Sequence, residues 1–275
     1  MKQKETVLIV GASGYFGSYL CSRLQKNQVI TASSSDPFAD IKINGDGTLE
    51  FRREISRIDI AIFCTAFSKI EACENDPAQA LYINCVLPTK IHNELRKTFS
   101  YFPVIISTDA VFHAVTSTAL NELSTTNPLS VYGKTRRALE ESFSSQARAA
   151  IIRPPRIWGG RGEDFVQKLS QQLTSQQVVY AIDDQYFCPL HIDDAIILIE
   201  KIAQAKQAGL YHIPGPELLS WHSIIKRLSK NLNVTTKIER KSLNTTYVSN
   251  IRPPWSNLTT NNQFINEFNK KCIPS

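Results

Sequence analysis

The stretch that decides the fold is VLIVGASGYFG, residues 7–17. Its first four residues form an apolar run of strand length, and a helical pattern begins at Tyr15. Gly11, Gly14 and Gly17 stand at this junction and allow a tight strand-to-helix turn. Two residues separate successive glycines, which is a looser spacing than the usual dinucleotide fingerprint. Directly after a buried-type strand, the loop still predicts a dinucleotide whose pyrophosphate lies at the positive end of the following helix.

The composition is that of a folded globular protein. The chain has 275 residues, 42% of them hydrophobic and 20% charged, and a formal net charge of +6. This charge suits anionic ligands, but the basic residues are scattered and form no tract or aromatic-interleaved stripe typical of nucleic-acid binding. The six cysteines are widely spaced, and no signal peptide or transmembrane run is recognisable. We therefore expect a cytoplasmic protein with reduced cysteines that binds neither nucleic acid nor membrane.

Strand and helix patterns alternate along the first half of the chain. They predict an α/β fold with a Rossmann-type doubly wound parallel sheet. The expected dinucleotide-binding domain covers residues 1–155, and 156–275 form mainly a smaller substrate lobe, with part of 175–215 returning to the main sheet. The predicted strands are 7–10, 29–32, 58–64, 104–107, 149–153 and 178–182, and the predicted helices are 15–25, 77–95, 129–143, 165–173, 192–205 and 219–232.

Three side chains suggest a reaction. Thr108 follows a predicted strand and should lie at the carboxyl edge of the sheet, where open α/β folds bind ligands. Tyr132 and Arg136 are four residues apart on a predicted helix and share a face. Carbonyl reduction needs a phenol to protonate the alkoxide, a hydroxyl to polarise the carbonyl and a cation to keep the phenol acidic and hold the cofactor ribose. Each residue alone could simply pack or cap, but the ordered set predicts a reductase.

The ordered motifs resemble a known family. Besides the glycine loop they include residues 64–68, Asn84, 107–112, 132–140, 153–159, 183–189, 209–212 and 252–253. Nearly end to end, the chain is similar to the extended short-chain dehydrogenase/reductases. Within them it resembles the dTDP-4-dehydrorhamnose reductase group, which reduces 4-keto sugar nucleotides with NADPH or NADH.

The resemblance implies the positions of the sites. Catalytic roles fall on Thr108, Tyr132 and Arg136, and substrate contacts on Ser68, Asp109, Ala110, Arg156 and Arg252. The implied cofactor contacts are Gly11, Ser13, Gly14, Tyr15, Phe16, Gly17, Ser33, Ser34, Asp40, Ile41, Cys64, Thr65, Ala66, Tyr132 and Arg136. The partner is a sugar nucleotide, and the oligomeric state stays open, with a homodimer among the alternatives.

Three residues depart from the family pattern. Arg136 replaces the catalytic lysine, Ala110 stands where a tyrosine is frequent, and Arg156 replaces an aromatic residue that contacts substrate. Arginine preserves the charge beside the phenol but lacks the compact ammonium of lysine. Arg156 offers a fork for a phosphate or carboxylate, or else forms a salt bridge with Glu163 or Asp164. The alternative to an active reductase is a weakened homologue that binds cofactor and regulates a partner.

The type of dinucleotide depends on the end of the second strand. NAD enzymes usually carry an acid there, whereas this chain has Ser33 and Ser34, followed by its first acid at Asp36. Hydroxyls tolerate a 2′-phosphate, although no arginine stands nearby in the sequence. NADP(H) is therefore favoured slightly, with NAD(H) as the alternative. The five histidines are dispersed without metal-ligand spacing, so we expect no metal site.

Overall fold

The computed structural model describes residues 4–24, 28–146, 148–160, 164–246 and 251–274. Its strands are β1 Thr6–Val10, β2 Gln28–Ser33, β3 Ile41–Ile43, β4 Leu49–Phe51, β5 Ile60–Phe63, β6 Phe102–Ile106, β7 Ala150–Arg153, β8 Ile157–Trp158, β9 Val178–Ile182, β10 Tyr186–Phe187, β11 Leu190–His191, β12 Gly209–His212, β13 Leu219–Ser220, β14 Lys237–Lys241 and β15 Trp255–Ser256. Its α-helices are α1 Tyr15–Arg23, α2 Ile70–Asn75, α3 Pro77–Leu81, α4 Leu87–Arg96, α5 Val131–Gln146, α6 Phe165–Ser175, α7 Ile192–Ala205, α8 Trp221–Asn231 and α9 Gln263–Asn266.

An eight-stranded sheet dominates the structure. Its order is β12-β7-β6-β5-β1-β2-β3-β4. Neighbouring strands from β7 through β3 pair in parallel, and β3 and β4 pair antiparallel. All five residues of β1 are buried, as expected for a strand covered on both faces. The strand order reverses between β1 and β5, which is the point where doubly wound sheets bind ligands.

The chain divides into two compact units by its contacts. The first unit comprises residues 1–107, 131–152 and 199–210, and the second comprises 108–130, 153–198 and 211–275. The division differs from the expected boundary at 155/156 mainly in residues 108–130. Within the second unit this segment forms backbone bridges from Ala114 to Trp255 and from Leu120 to Leu258, so its contacts are with the C-terminal part of the chain.

Several elements of secondary structure differ from the expected pattern. The long helix predicted for 77–95 is helical but contains a π-helical turn, Tyr82–Val86, between α3 and α4. Pro88 lacks an amide proton, so the carbonyl of Asn84 cannot receive the hydrogen bond that a regular α-helix would provide. Strands β3, β4, β8 and β10 to β15 were not predicted, nor were helices α2 and α9. Helix α1 is described to Arg23, and Gln25, the predicted end of that helix, lies outside the described residues.

Each unit has its own hydrophobic core. In the first unit, strand residues such as Leu8, Ile30 and Ile105 pack with Ile91 of α4 and Phe143 of α5. In the second unit a separate cluster joins α6, β9 and α8. Parallel strands buried on both faces give the first unit a rigid sheet, whose strand ends carry most of the predicted cofactor residues.

Candidate functional site

The glycine loop forms a close turn between β1 and α1. Gly11 has φ +89°, and a Cβ at this residue would lie 2.9 Å from the amide nitrogen of Thr65. At Gly17 a Cβ would lie 2.2 Å from the carbonyl oxygen of Gly11. Gly14 is the N-cap of α1 and provides no side-chain cap to the first amides of the helix. A turn packed this closely, leading into a helix N-terminus that no side chain caps, suits a dinucleotide pyrophosphate.

The serines at the end of β2 contact the glycine loop. Ser33 is 1% exposed, and its Oγ lies 2.7 Å from the Oγ of Ser13. The same oxygen accepts hydrogen bonds from the amides of Ser35 and Asp36 at 3.2 and 3.1 Å. Ser34 is exposed. Of the two serines expected near the cofactor ribose, Ser33 therefore shapes the loop with its side chain and Ser34 presents its side chain to solvent.

Asp40 and Ile41 have different surroundings. The Asp40 carboxylate accepts hydrogen bonds from the amide and hydroxyl of Thr31 at 2.8 and 3.0 Å and pairs with Arg53 at 2.5 Å. Burial opposes ionisation, but these hydrogen bonds lower the pKa of Asp40 below its usual value. Ile41 is fully buried within the sheet. Its side chain belongs to the core, so the expected cofactor contact at this residue would fall to its main chain.

The segment after β5 carries the next predicted cofactor residues. Burial raises the pKa of the Cys64 thiol, which is therefore neutral near pH 7. The Oγ1 of Thr65 is buried and has no hydrogen-bond partner within the described part of the chain. Ala66 and Ser68 are exposed. A buried hydroxyl without a partner beside the glycine turn is what a site for a polar ligand would contain.

Asn84 holds this segment in place, and only the resemblance pointed to it. The residue lies in the π-helical turn and is fully buried. Its Oδ1 accepts from the Phe67 amide at 2.6 Å, and its Nδ2 donates to the Phe67 carbonyl and to Thr135 Oγ1 at 3.0 and 3.1 Å. The Asn84 side chain thus joins the post-β5 segment to α5, the helix that carries Tyr132 and Arg136.

Helix α5 begins one residue before Tyr132. The amide of Val131 donates to Glu74 Oε1 at 2.7 Å, and a carboxylate at this end of a helix is also favoured by the helix dipole. Tyr132 is half-buried. The sequence-based reasoning missed Glu74, whose only sequence signal is an acid at the end of a short helix. Its contact positions the first turn of α5 and hence the backbone of Tyr132.

The guanidinium of Arg136 is buried against main-chain carbonyls. The residue is 1% exposed, and its Nη1 donates to the carbonyl of Thr65 at 3.0 Å and that of Asn84 at 3.5 Å. Its Nη2 donates to the carbonyl of Ile106. Arg136 therefore joins the ends of β5 and β6 and makes a long hydrogen bond to the Asn84 carbonyl, to which Pro88 cannot donate. The expected contact of Arg136 with the cofactor ribose stays a prediction.

In the second unit, Asp109 links the predicted catalytic threonine to the C-terminal segment. Thr108 Oγ1 donates to Asp109 Oδ1 at 3.3 Å and accepts from the amide of Ala110 at 3.2 Å. Ser256 Oγ donates to Asp109 Oδ2 at 2.5 Å. Burial raises the pKa of Asp109, although the Ser256 hydrogen bond and the positive charge of Arg156 act in the opposite direction. The Thr108 hydroxyl is therefore oriented by its neighbours in the chain.

Arg156 lies among three aromatic rings. Its guanidinium carbon is 4.9 Å from the ring centre of Trp221, 5.6 Å from that of Phe187 and 5.8 Å from that of Phe165. Such cation-π contacts hold a guanidinium in a defined orientation. Of its two expected ion-pair partners, Asp164 accepts from three main-chain amides and caps α6, and Glu163 lies outside the described residues.

The remaining predicted substrate residue, Arg252, is half-buried directly before Pro253. Gln185 Nε2 donates to the Pro253 carbonyl at 3.1 Å, and Trp221 Nε1 donates to Gln185 Oε1 at 2.9 Å. These two hydrogen bonds connect the Arg252 segment to the start of α8. None of the predicted substrate residues lines the open cavity of about 620 Å³ found elsewhere in the second unit, beside the stacked rings of Tyr186 and Trp255.

Two features are absent from the residues that the structure describes. No helix among them is both long enough and apolar enough to cross a membrane. No group of three or more histidine, cysteine, aspartate or glutamate side chains suited to a metal ion occurs among them either.

The sheet, its strand order and the glycine turn define a Rossmann-type α/β protein. Residues 5–271 match the family model described as the RmlD substrate binding domain, and the chain belongs to this family.

Curated relatives and solved structures agree with this assignment. The dTDP-4-dehydrorhamnose reductase of Salmonella typhimurium is 27% identical over 224 residues, covering 78% of this chain and 74% of the relative. The spore coat polysaccharide biosynthesis protein SpsK of Bacillus subtilis is 24% identical over 233 residues, covering 84% and 81%. The structure of a dTDP-4-dehydrorhamnose reductase from Bacillus anthracis in complex with NADP superposes with a TM-score of 0.84 at 22% identity, covering 99% of this chain and 96% of the other. At this identity the structural likeness concerns the fold.

Proposed function

We propose that this protein is an NAD(P)H-dependent reductase of a nucleotide-linked 4-keto-6-deoxy sugar, similar to dTDP-4-dehydrorhamnose reductase. The observation that carries the proposal is the family match over residues 5–271, together with relatives named for this activity. The cradle of Gly11, Gly14 and Gly17 supports it, because its close backbone turn suits a pyrophosphate. Cofactor preference follows the neighbours solved with NADP or NADPH.

A reduced dinucleotide, when bound, would supply the hydride for this reduction. In our proposal the Tyr132 phenol gives its proton to the carbonyl oxygen, so that the ketone becomes an alcohol and the phenol becomes a phenolate. We assign to Thr108 the role of polarising the carbonyl, for which its hydroxyl proton has to turn away from Asp109 Oδ1. The phenolate then regains a proton from solvent before the next turnover.

Arg136 bears most on the efficiency of this chemistry. Bringing a tyrosine from a pKa of about 10 toward neutrality requires about 4 kcal/mol. A unit charge about 4 Å away supplies roughly that amount at an effective dielectric constant of about 20. The negative ends of the carbonyl dipoles of Thr65, Asn84 and Ile106 offset part of the Arg136 charge. We therefore expect a slower proton donor than the lysine of the family pattern would give.

The same observation favours the second candidate function. A guanidinium held by three carbonyls preserves the fold around the cofactor site whether or not the chain is a catalyst. The alternative is a cofactor-binding homologue that regulates a partner enzyme. In either case we expect a cytoplasmic protein, and sedimentation of the purified chain would test for the homodimer.

Single-turnover oxidation of NADPH separates the two functions. The purified chain is mixed with NADPH and each of several 4-keto sugar nucleotides, and the loss of reduced nicotinamide is followed by absorbance. An active reductase consumes one NADPH per site, and Tyr132→Phe slows this step by about 10²-fold or more. Tyr180→Phe is the matched control, because Tyr180 is 55% exposed in the second unit and should not change the rate. NADPH that binds but is never oxidised would contradict the reductase function.

A further inference from the structure

A hairpin of the first unit brings arginines to the end of β2. Strands β3 and β4 pair antiparallel, with Ile41 opposite Phe51, so the residues after β4 return to the loop between β2 and β3. The Arg52 amide donates to the Asp40 carbonyl at 2.9 Å. The Arg52 guanidinium donates through Nη1 to the carbonyl of Pro37, two residues after Ser35. The cation of Arg52, which is 15 residues further along the chain than Pro37, thus lies beside the loop that follows β2 and contains Ser34 and Ser35, here called the serine loop.

The two arginines of this hairpin differ in their partners. Arg53 forms a hydrogen-bonded ion pair with Asp40, and its charge is compensated there. The Nε of Arg52 lies 4.0 Å from a carboxylate oxygen of Glu50, a side chain that is 55% exposed. An exposed ion pair at this distance contributes little. Pro37 occupies one of the five N–H donors of the Arg52 guanidinium, and the geometry of these donors matches a phosphate.

The loop beside Arg52 has the polarity that a phosphate requires. Ser13 and Ser35 are exposed, and their hydroxyl oxygens lie 3.0 Å apart. Ser35 directly follows Ser33 and Ser34 at the end of β2, where enzymes that prefer NAD place an acid. Asp36 is the nearest acid along the loop, and its Oδ1 accepts from the amide of Phe38 at 2.9 Å. The negative charge of Asp36 repels an anion, but this hydrogen bond holds the carboxylate along the loop.

We propose that Arg52, together with the hydroxyls of Ser13 and Ser35, binds the 2′-phosphate of NADPH and sets the preference for NADPH over NADH. Two residues along the chain span at most about 7 Å, so Pro37 and its bound guanidinium remain close to Ser35. Charge-assisted hydrogen bonds from a guanidinium to phosphate are among the strong ones in proteins. This inference rests on the proposed dinucleotide site but requires no catalysis.

The test is equilibrium binding to the full chain without substrate. NADPH and NADH are titrated separately, and the fluorescence of the reduced nicotinamide reports each Kd. Arg52→Gln should weaken NADPH binding by about tenfold or more, since it removes a charge-assisted contact, and change the Kd for NADH by less than about twofold. Arg52→Lys should keep part of the preference. Asp36→Asn should strengthen NADPH binding selectively, because it removes the opposing charge.

The matched control is Arg53→Gln, which removes the neighbouring guanidinium and its ion pair with Asp40. It should leave the ratio of the two dissociation constants unchanged, and thermal unfolding of each variant verifies that it is folded. Competition by 2′,5′-ADP against 5′-AMP, repeated at rising salt, provides a second readout, since the preference for 2′,5′-ADP should fall as salt screens the charge.

Each outcome decides between the inferences. An Arg52→Gln variant that loses both cofactors equally, or neither, overturns the role of Arg52 in cofactor preference; the proposed dinucleotide site is tested separately, by binding to the wild-type chain. If Arg53→Gln instead removes the preference, the neighbouring arginine is the determinant and the proposal is wrong. If the wild-type chain binds neither cofactor, the proposed function fails together with this inference.

Discussion

Replacing Gly17 by alanine tests the glycine cradle most directly. The new Cβ would lie 2.2 Å from the carbonyl oxygen of Gly11 and 3.1 Å from the Cα of Ala12. Unstrained contacts of this kind need about 3.5 Å, so the helix and the loop must separate by roughly 1 Å. Both neighbours are backbone atoms, and no side-chain rotation can relieve the overlap.

The size of the effect follows from two opposing terms. Overpacking of this severity costs about 3 kcal/mol, and alanine in a helix recovers about 1 kcal/mol relative to glycine. The net loss of about 2 kcal/mol should lower the Tm of Gly17→Ala by about 4–8 °C for a chain of this size. A displaced loop also loses at least one hydrogen bond to the charged pyrophosphate, so NADPH affinity should fall by about tenfold or more.

Thermal unfolding and NADPH titration measure these two effects. Gly45→Ala is the matched control, because a Cβ at Gly45 would meet no atom within 4 Å. We expect its Tm and NADPH affinity to equal those of the wild type. If Gly17→Ala also retains the wild-type Tm and affinity, the close approach of α1 to the loop does not exist in solution and the reasoning is refuted.

Three further substitutions test the site. Gly14→Val places a larger side chain at the N-cap of α1, where the Cβ lies 3.3 Å from the Gly11 carbonyl oxygen, and should abolish dinucleotide binding in calorimetry while the chain stays folded. Arg136→Lys should lower the Tm, because at least one of the three carbonyls loses its donor at a cost of about 1–3 kcal/mol. Turnover of the folded enzyme should nevertheless stay equal or rise, and a lower turnover of fully folded enzyme would contradict the idea that lysine is the better neighbour for the phenol. Asp40→Asn should lower the Tm at pH 7 and have progressively less effect as the pH falls through the depressed pKa of Asp40, because the stabilisation by a carboxylate with a lowered pKa is present above its unfolded pKa of about 4 and is lost in acid. A difference in Tm that is constant at all pH values would exclude an electrostatic origin.

Local patterns were sufficient for six of the described strands and for the longer helices. The apolar run before Gly11, the glycine spacing and the alternation of strands with helices predicted the α/β fold. Strand Val178–Ile182 and helix Ile192–Ala205 have the predicted bounds. These elements are recognisable in sequence because burial imposes a period on the side chains of each element separately.

The short elements were not predictable in the same way. Strands β3 and β4 have three residues each, and such runs are too brief to show a period. In the π-helical turn inside the predicted helix 77–95, the carbonyl of Asn84 has a partner from a distant part of the chain. Arg136 reaches this carbonyl from 52 residues away, a distance at which no local pattern could reveal the contact.

The sequence by itself determined the class of fold, the position of the nucleotide loop and the identity of Thr108, Tyr132 and Arg136 as the residues to examine. Only the tertiary structure decided what surrounds them. It placed the Arg136 guanidinium on three carbonyls and brought Arg52 to a serine loop that has no neighbouring arginine in the sequence. The physical reason is that periodicity and turn chemistry act over a few residues, whereas a charge acts on whatever atoms the folded chain brings near it.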